Sequence, residues 1–86
     1  MQLDRGNHQA LSDLGNLQMV RKRYDLALTT FRDVARLYPR DKQAHLKLAQ
    51  SYRFLGKPDQ AAIHEEIYRR LDAEEEQRTR KGPRRR

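Results

Sequence analysis

The chain matches itself when it is shifted by 34 residues. The shift places Gln9 on Gln43, Ala10 on Ala44, Leu14 on Leu48, Asp25 on Asp59, Ala27 on Ala61, Arg36 on Arg70 and Leu37 on Leu71. Inside each copy the apolar residues recur at three- and four-residue spacing, which is the period of a helix, and no two-residue alternation breaks it. A repeated unit of this length holds two helices and their turns. Such a unit cannot bury its apolar face alone, so the copies must stack, each covering the next. A sheet-based fold is therefore not expected.

The turn residues divide the copies into helices. Asn7 is a fair N-cap for a first helix that carries Ala10, Leu11, Leu14, Leu17, Met19 and Val20. The basic triplet Arg21-Lys22-Arg23 marks a turn. A second helix, with Tyr24, Ala27, Leu28, Phe31, Val34, Ala35 and Leu37, stops before Pro39, because proline disfavours helical geometry at Tyr38. Asp41 caps a third helix with Ala44, Leu46, Leu48, Ala49, Tyr52 and Leu55. Gly56 stops it, and Pro58 suits the first position of a fourth. That last helix has an apolar side of Ala61, Ala62, Ile63, Ile67, Tyr68 and Leu71. It then continues on charge pairs, Glu65 with Arg69, Glu66 with Arg70, Glu74 with Arg78 and Glu76 with Arg80, as far as about Arg80. Gly82 and Pro83 end it, and Arg84, Arg85 and Arg86 are expected to fray.

The formal charge of +7 is unevenly placed. Residues 77–86 hold six Lys or Arg and no acid, whereas residues 1–76 hold 13 basic and 12 acidic side chains. The basicity therefore belongs to a tail. There is no cysteine, so disulfide and thiolate chemistry are excluded. No apolar run approaches the roughly 18 residues that span a membrane, and no signal-peptide core follows Met1, which makes the cytoplasm the expected location.

The first copy resembles the tetratricopeptide repeat, a helix–turn–helix unit with this period. Its LSDLGNLQ is similar to the family's opening W-x-x-L-G-x-x-Y: Leu11 stands for the Trp, Leu14 and Gly15 match, and Gln18 departs from the Tyr. Tyr24, Ala27, Phe31 and Pro39 follow at the family spacings. In the second copy Leu48, Tyr52, Gly56 and Ala61 fit, while His45 replaces the Trp, Pro58 the turn aromatic, Glu65 the later aromatic and Ala73 the closing Pro. The resemblance implies an all-α helix–turn–helix repeat solenoid with an extended C-terminal helix and basic tail. Its first repeat is expected over residues 8–41, its second over 42–75 and the basic extension over 76–86. Residues 1–7 serve as an N-cap or as the remnant of a preceding repeat: LDRGN, residues 3–7, is similar to the close of such a unit, or matches it by chance. Helix pairs cross closely only over small residues, a part expected of Gly15 with Ala27 and of Ala49 with Ala61.

No side-chain set for catalysis is visible. His8, His45 and His64 show no helical metal-ligand spacing, and a structural role is expected of each. Glu74-Glu75-Glu76, with arginines four residues on, reads as a solvated helix surface. No nucleophile–base pair, phosphate-cradling loop or zinc-ligand spacing is present, so neither enzyme activity nor a cofactor is expected.

In the resembled family the first helix of each repeat lines a concave groove that holds an extended peptide or a partner helix. Carried over by position, the groove residues are Gln9, Ser12, Asp13, Asn16 and Val20 from the first repeat. Gln43, Leu46, Lys47, Gln50 and Phe54 come from the second, with Arg53 at the rim. Asn16 stands where some members hold a peptide's terminal carboxylate, and Lys47 adds charge beside it, but Ser12 and Gln43 replace expected cations. The resemblance thus implies a non-catalytic protein-interaction module, an adaptor or scaffold subunit. Two repeats are poorly capped, so self-association or docking in a larger assembly is expected through Ile63, Ile67 and Leu71. The competing reading is a nucleic-acid- or ribosome-associated factor whose tail, Arg78, Arg80, Lys81, Arg84, Arg85 and Arg86, contacts phosphates. No aromatic residue lies in that tail to stack on bases.

Overall fold

Three short turns connect four helices in the computed structural model, which describes residues 5–81. The helices are α1 (Arg5–Val20), α2 (Tyr24–Leu37), α3 (Lys42–Phe54) and α4 (Pro58–Lys81), and there is no strand among the described residues. Each packs on the next, α1 on α2, α2 on α3 and α3 on α4. With only residues 21–23, 38–41 and 55–57 between them, sequential helices have no room to be anything but antiparallel neighbours. The element order is that of a helix–turn–helix solenoid. One boundary differs from the sequence reading: α1 begins at Arg5 and runs through Asn7. No proline interrupts residues 5–7, so the helix continues backward past the expected cap. Leu3 and Asp4, the Gly82-Pro83 stop and Arg84 to Arg86 lie outside the described residues.

Both first helices of the repeats end in the same hydrogen-bonded motif. The Arg23 N–H donates to the Gln18 carbonyl at 2.8 Å and the Lys22 N–H to that of Met19 at 2.9 Å. Thirty-four residues on, the Lys57 N–H donates to the Tyr52 carbonyl at 2.8 Å and the Gly56 N–H to that of Arg53 at 3.0 Å. This Schellman ending needs a left-handed residue at its centre. Gly56 supplies it at φ 79°, without steric cost, whereas in the first repeat Lys22 adopts φ 60°. Asp41 caps α3 as expected: its carboxylate accepts from the backbone N–H of Gln43 and Ala44.

The first residues of α1 and α3 are also tied down in parallel ways. The His8 ring stacks on Tyr38, with centroids 3.8 Å apart, and its Nε2 lies 2.6 Å from Asp41 Oδ2. At the matching place in the second repeat, Lys42 Nζ donates to Asp72 at 2.5 Å and to Glu75 at 2.9 Å. These two carboxylates hold Lys42 protonated well above the usual lysine range. Arg40 adds a bond to Glu74 at 2.7 Å. Of the expected pairs along α4, Glu66 with Arg70 forms, at 3.7 Å, while Glu65 and Glu74 turn across to α3 and to the connection before it.

The core is built around α2. Ala27, Phe31 and Val34 pack with Ala44 and Leu48 of α3, and Leu11, Met19, Leu28, Ala35 and Tyr38 close around them. A second cluster, Ala49, Tyr52 and Ala61, joins α3 to α4 and shares Leu28 with the first. Fully burying a side chain such as Leu48, Val34 or Phe31 stabilises the fold by about 1.5–3 kcal/mol. Gln18, which departs from the family's Tyr, makes a polar tie instead. Its Oε1 accepts from Thr30 Oγ1 at 2.7 Å and pins α1 to α2.

Gly15 marks the close approach in the first repeat. A Cβ there would lie 2.6 Å from two atoms of the Phe31 ring. In the second repeat the position of Gly15 is taken by Ala49 and that of Phe31 by Glu65. The small residue and the large one have changed together. Glu65 is held by Arg53, which forks it at 2.7–2.9 Å through Nε and Nη2.

Not every apolar position finds a partner. Leu14 and Leu17 are 45% and 47% exposed, whereas their counterparts Leu48 and Ser51 are buried at 1% and 0%. The difference is positional: α3 has α2 before it, and no described helix precedes α1.

Candidate functional site: the inner faces of α1 and α3

The first helices of the two repeats frame a shallow depression of about 460 Å³. Its lining includes Gln9, Ser12 and Asn16 from α1 and Gln43 and Lys47 from α3, with His8 and Asp41 closing one end. Helical periodicity puts these residues together: Gln9, Ser12 and Asn16 are three and four apart on one face, and Gln43 and Lys47 are four apart on another. The floor is polar. Ser12, Asn16 and Lys47 form no hydrogen bond or ion pair through their side chains among the described residues, so their donors and acceptors are available to a ligand. Gln9 is partly engaged, donating to Asp13 Oδ1 at 2.9 Å.

The remaining groove candidates lie elsewhere. Asp13 is exposed beside Gln9, and Leu46 and Gln50 are half-buried on α3 outside the depression's lining. Arg53 faces α4 through its fork to Glu65 and is not free for a ligand. Val20 and Phe54 stand at the last residues of α1 and α3, at the turn edge of the molecule. There Phe54 stacks on Tyr24, with ring centroids 4.3 Å apart and planes 7° from parallel. Ile63 is exposed on α4, while Ile67 and Leu71 are half-buried. Of the tail candidates, Arg78 is exposed on α4; the side chains of Arg80 and Lys81, and all of Arg84 to Arg86, lie outside the described residues.

Two groups at the depression were not among the groove candidates, His8 and Asp41. They are 33 residues apart, close to the repeat length, and that spacing was the available signal: it sets the start of one first helix beside the start of the next. A second pairing was also invisible to helical spacing. His45 and His64 meet between α3 and α4 with their Nδ1 atoms 3.1 Å apart. One imidazole donates and the other accepts, so the pair holds opposite tautomers. Tyr52 stacks on His64 with centroids 5.6 Å apart. Burial pushes both pKa values below the usual histidine range. At His64 the neighbouring His45 and Arg32 push the same way, while at His45 the Asp41 carboxylate opposes the shift. Among the described residues no three acidic, histidine or cysteine side chains gather as a metal site, and no helix is long and apolar enough to cross a membrane.

Two stacked helix pairs with a polar inner face define a repeat-type interaction module. A tetratricopeptide-repeat family model matches residues 9–41 and 43–74, and the chain belongs to that family. Repeats of this family serve protein–protein interaction. No curated protein and no solved structure gives a significant match to the chain.

Proposed function

We propose that the protein is a non-catalytic adaptor that holds an extended peptide or a partner helix across the inner faces of α1 and α3. The observation that carries this reading is the depression itself, where Ser12 and Asn16 on one side and Lys47 on the other keep hydrogen-bonding capacity that the fold leaves unused. Asn16 can both donate to and accept from a peptide backbone, and Lys47 attracts a carboxylate beside it. Neither side chain takes part in the core, so both are free to serve a ligand.

A test is peptide selection from a random library on the whole chain, followed by binding measurements on Asn16→Ala/Lys47→Ala. The double variant is expected to melt like the parent and to lose about 1–3 kcal/mol of binding, the range for hydrogen bonds to charged groups. Chemical-shift changes on peptide addition should centre on Ser12, Asn16, Gln43 and Lys47. Selected peptides that bind the variant as tightly as the parent, or that shift only the outer faces of α2 and α4, would overturn the reading.

A further inference from the structure

The turn edge of the molecule carries a different chemistry from the groove. Each first helix ends on an exposed apolar residue, Val20 at 77% and Phe54 at 63% exposure, 34 residues apart. Each then enters a turn rich in cations: Arg21, Lys22 and Arg23 after α1, and Lys57 after α3. All four are exposed, and none forms an ion pair among the described residues. The stack of Phe54 on Tyr24 joins the two turns into one surface, because Tyr24 directly follows Arg23 and Lys57 lies three residues beyond Phe54.

A second observation sets this edge apart from an ordinary solvated turn. Lys22 and Gly56 occupy the same place in two identical helix endings. The second repeat uses glycine, which suits the left-handed conformation; the first holds a lysine there against its backbone preference. Positive charge at the end of α1 is favourable to the helix dipole, but Arg21 and Arg23 supply it from unstrained positions. The fold gives the Lys22 ammonium group no partner among the described residues that would account for this conformation. We infer that this edge docks an acidic protein segment that carries an apolar residue between its carboxylates. The charge demands an anionic partner. Phe54 already gives one ring face to Tyr24, and the other exposed apolar side chains of the two turns, Val20 and Leu55, are aliphatic, which offers more to peptide side chains than to stacking bases.

The experiment uses the full chain and Lys22→Gly, with a fluorescein-labelled peptide of glutamates interrupted by leucine and phenylalanine as probe. The same peptide with serine in place of its apolar residues and a single-stranded oligouridine serve as comparators. Lys22→Gly removes the charge and the backbone strain together, so its melting temperature should equal or exceed the parent's while its affinity for the acidic peptide falls about tenfold. Parent affinity should drop as salt is raised, and the serine peptide should bind more weakly than the apolar one. Equal affinity of parent and Lys22→Gly overturns the proposal, and this includes binding carried by the C-terminal tail. So does oligouridine binding that is tighter than peptide binding and sensitive to Lys22→Gly, which would make the edge a nucleic-acid surface.

Discussion

Replacing Gly15 by alanine sets two physical effects against each other, and the structure says which wins. Helix propensity alone favours the change, by about 1 kcal/mol for alanine over glycine in a helix interior. The new Cβ would stand 2.6 Å from two ring atoms of Phe31, where carbon atoms ordinarily rest about 3.5–4.0 Å apart. The ring would have to retreat by roughly 1 Å, judged against that contact distance. It has nowhere to go, since Phe31 is 2% exposed and packed among Ala27, Val34, Ala44 and Leu48. Overpacking of this kind costs about 1–3 kcal/mol, and α1 is held to α2 around the crossing by the Gln18–Thr30 bond, which limits sliding. The net expectation for Gly15→Ala, the overpacking cost less the propensity gain, is a loss of up to about 2 kcal/mol, or up to about 16 °C in melting temperature for a domain of this size. Urea unfolding followed by circular dichroism measures it, with an unchanged slope and a lowered midpoint as the signature. Gly15→Ala/Phe31→Leu, which withdraws the ring, should lose less than the two single changes added together. A Gly15→Ala protein more stable than the parent would refute the reasoning, because propensity would then have prevailed and the crossing would not be tight.

The second repeat offers the converse experiment. Glu65→Phe restores the family's aromatic opposite Ala49 and should destabilise by crowding, whereas Ala49→Gly/Glu65→Phe should recover part of the loss in the same unfolding assay. Asp41→Ala removes the α3 cap and the partner of His8 together, with an expected cost of about 1–2 kcal/mol read as a lowered urea midpoint. The His45–His64 pair makes stability depend on pH. Both folded-state pKa values lie below the unfolded value, so the unfolded chain binds more protons, and stability is complete above about pH 6.5 and declines as pH falls below it. Thermal melts between neutral pH and pH 5 should show this fall, and His64→Gln should flatten it; equal slopes in the two proteins would refute the assignment.

The sequence by itself determined the architecture of this protein. A fixed repeat, helical periodicity inside it, and Asp41, Gly56 and Pro58 at the joints are local signals, and local hydrogen bonding obeys them whatever the distant surroundings. The groove candidates came from the resemblance, and of them Gln9, Ser12, Asn16, Gln43 and Lys47 line the depression while Arg53 and Phe54 are engaged elsewhere. What the tertiary structure decided are the contacts between residues whose chain separation does not reveal their spatial distance. Leu14 and Leu17 belong to the apolar pattern of the first helix and prove exposed, because burial depends on the helix that stands alongside. Glu65 read as a partner of Arg69 and is taken by Arg53, because an antiparallel neighbour brought a better-placed guanidinium within reach. His45 and His64 read as unrelated and share a hydrogen bond. Lys22 read as one of three basic turn residues, and only the backbone, twisted to a positive φ where the matching repeat uses glycine, sets it apart from Arg21 and Arg23. Chain periodicity reports which face of a helix a residue occupies; packing alone decides what that face meets.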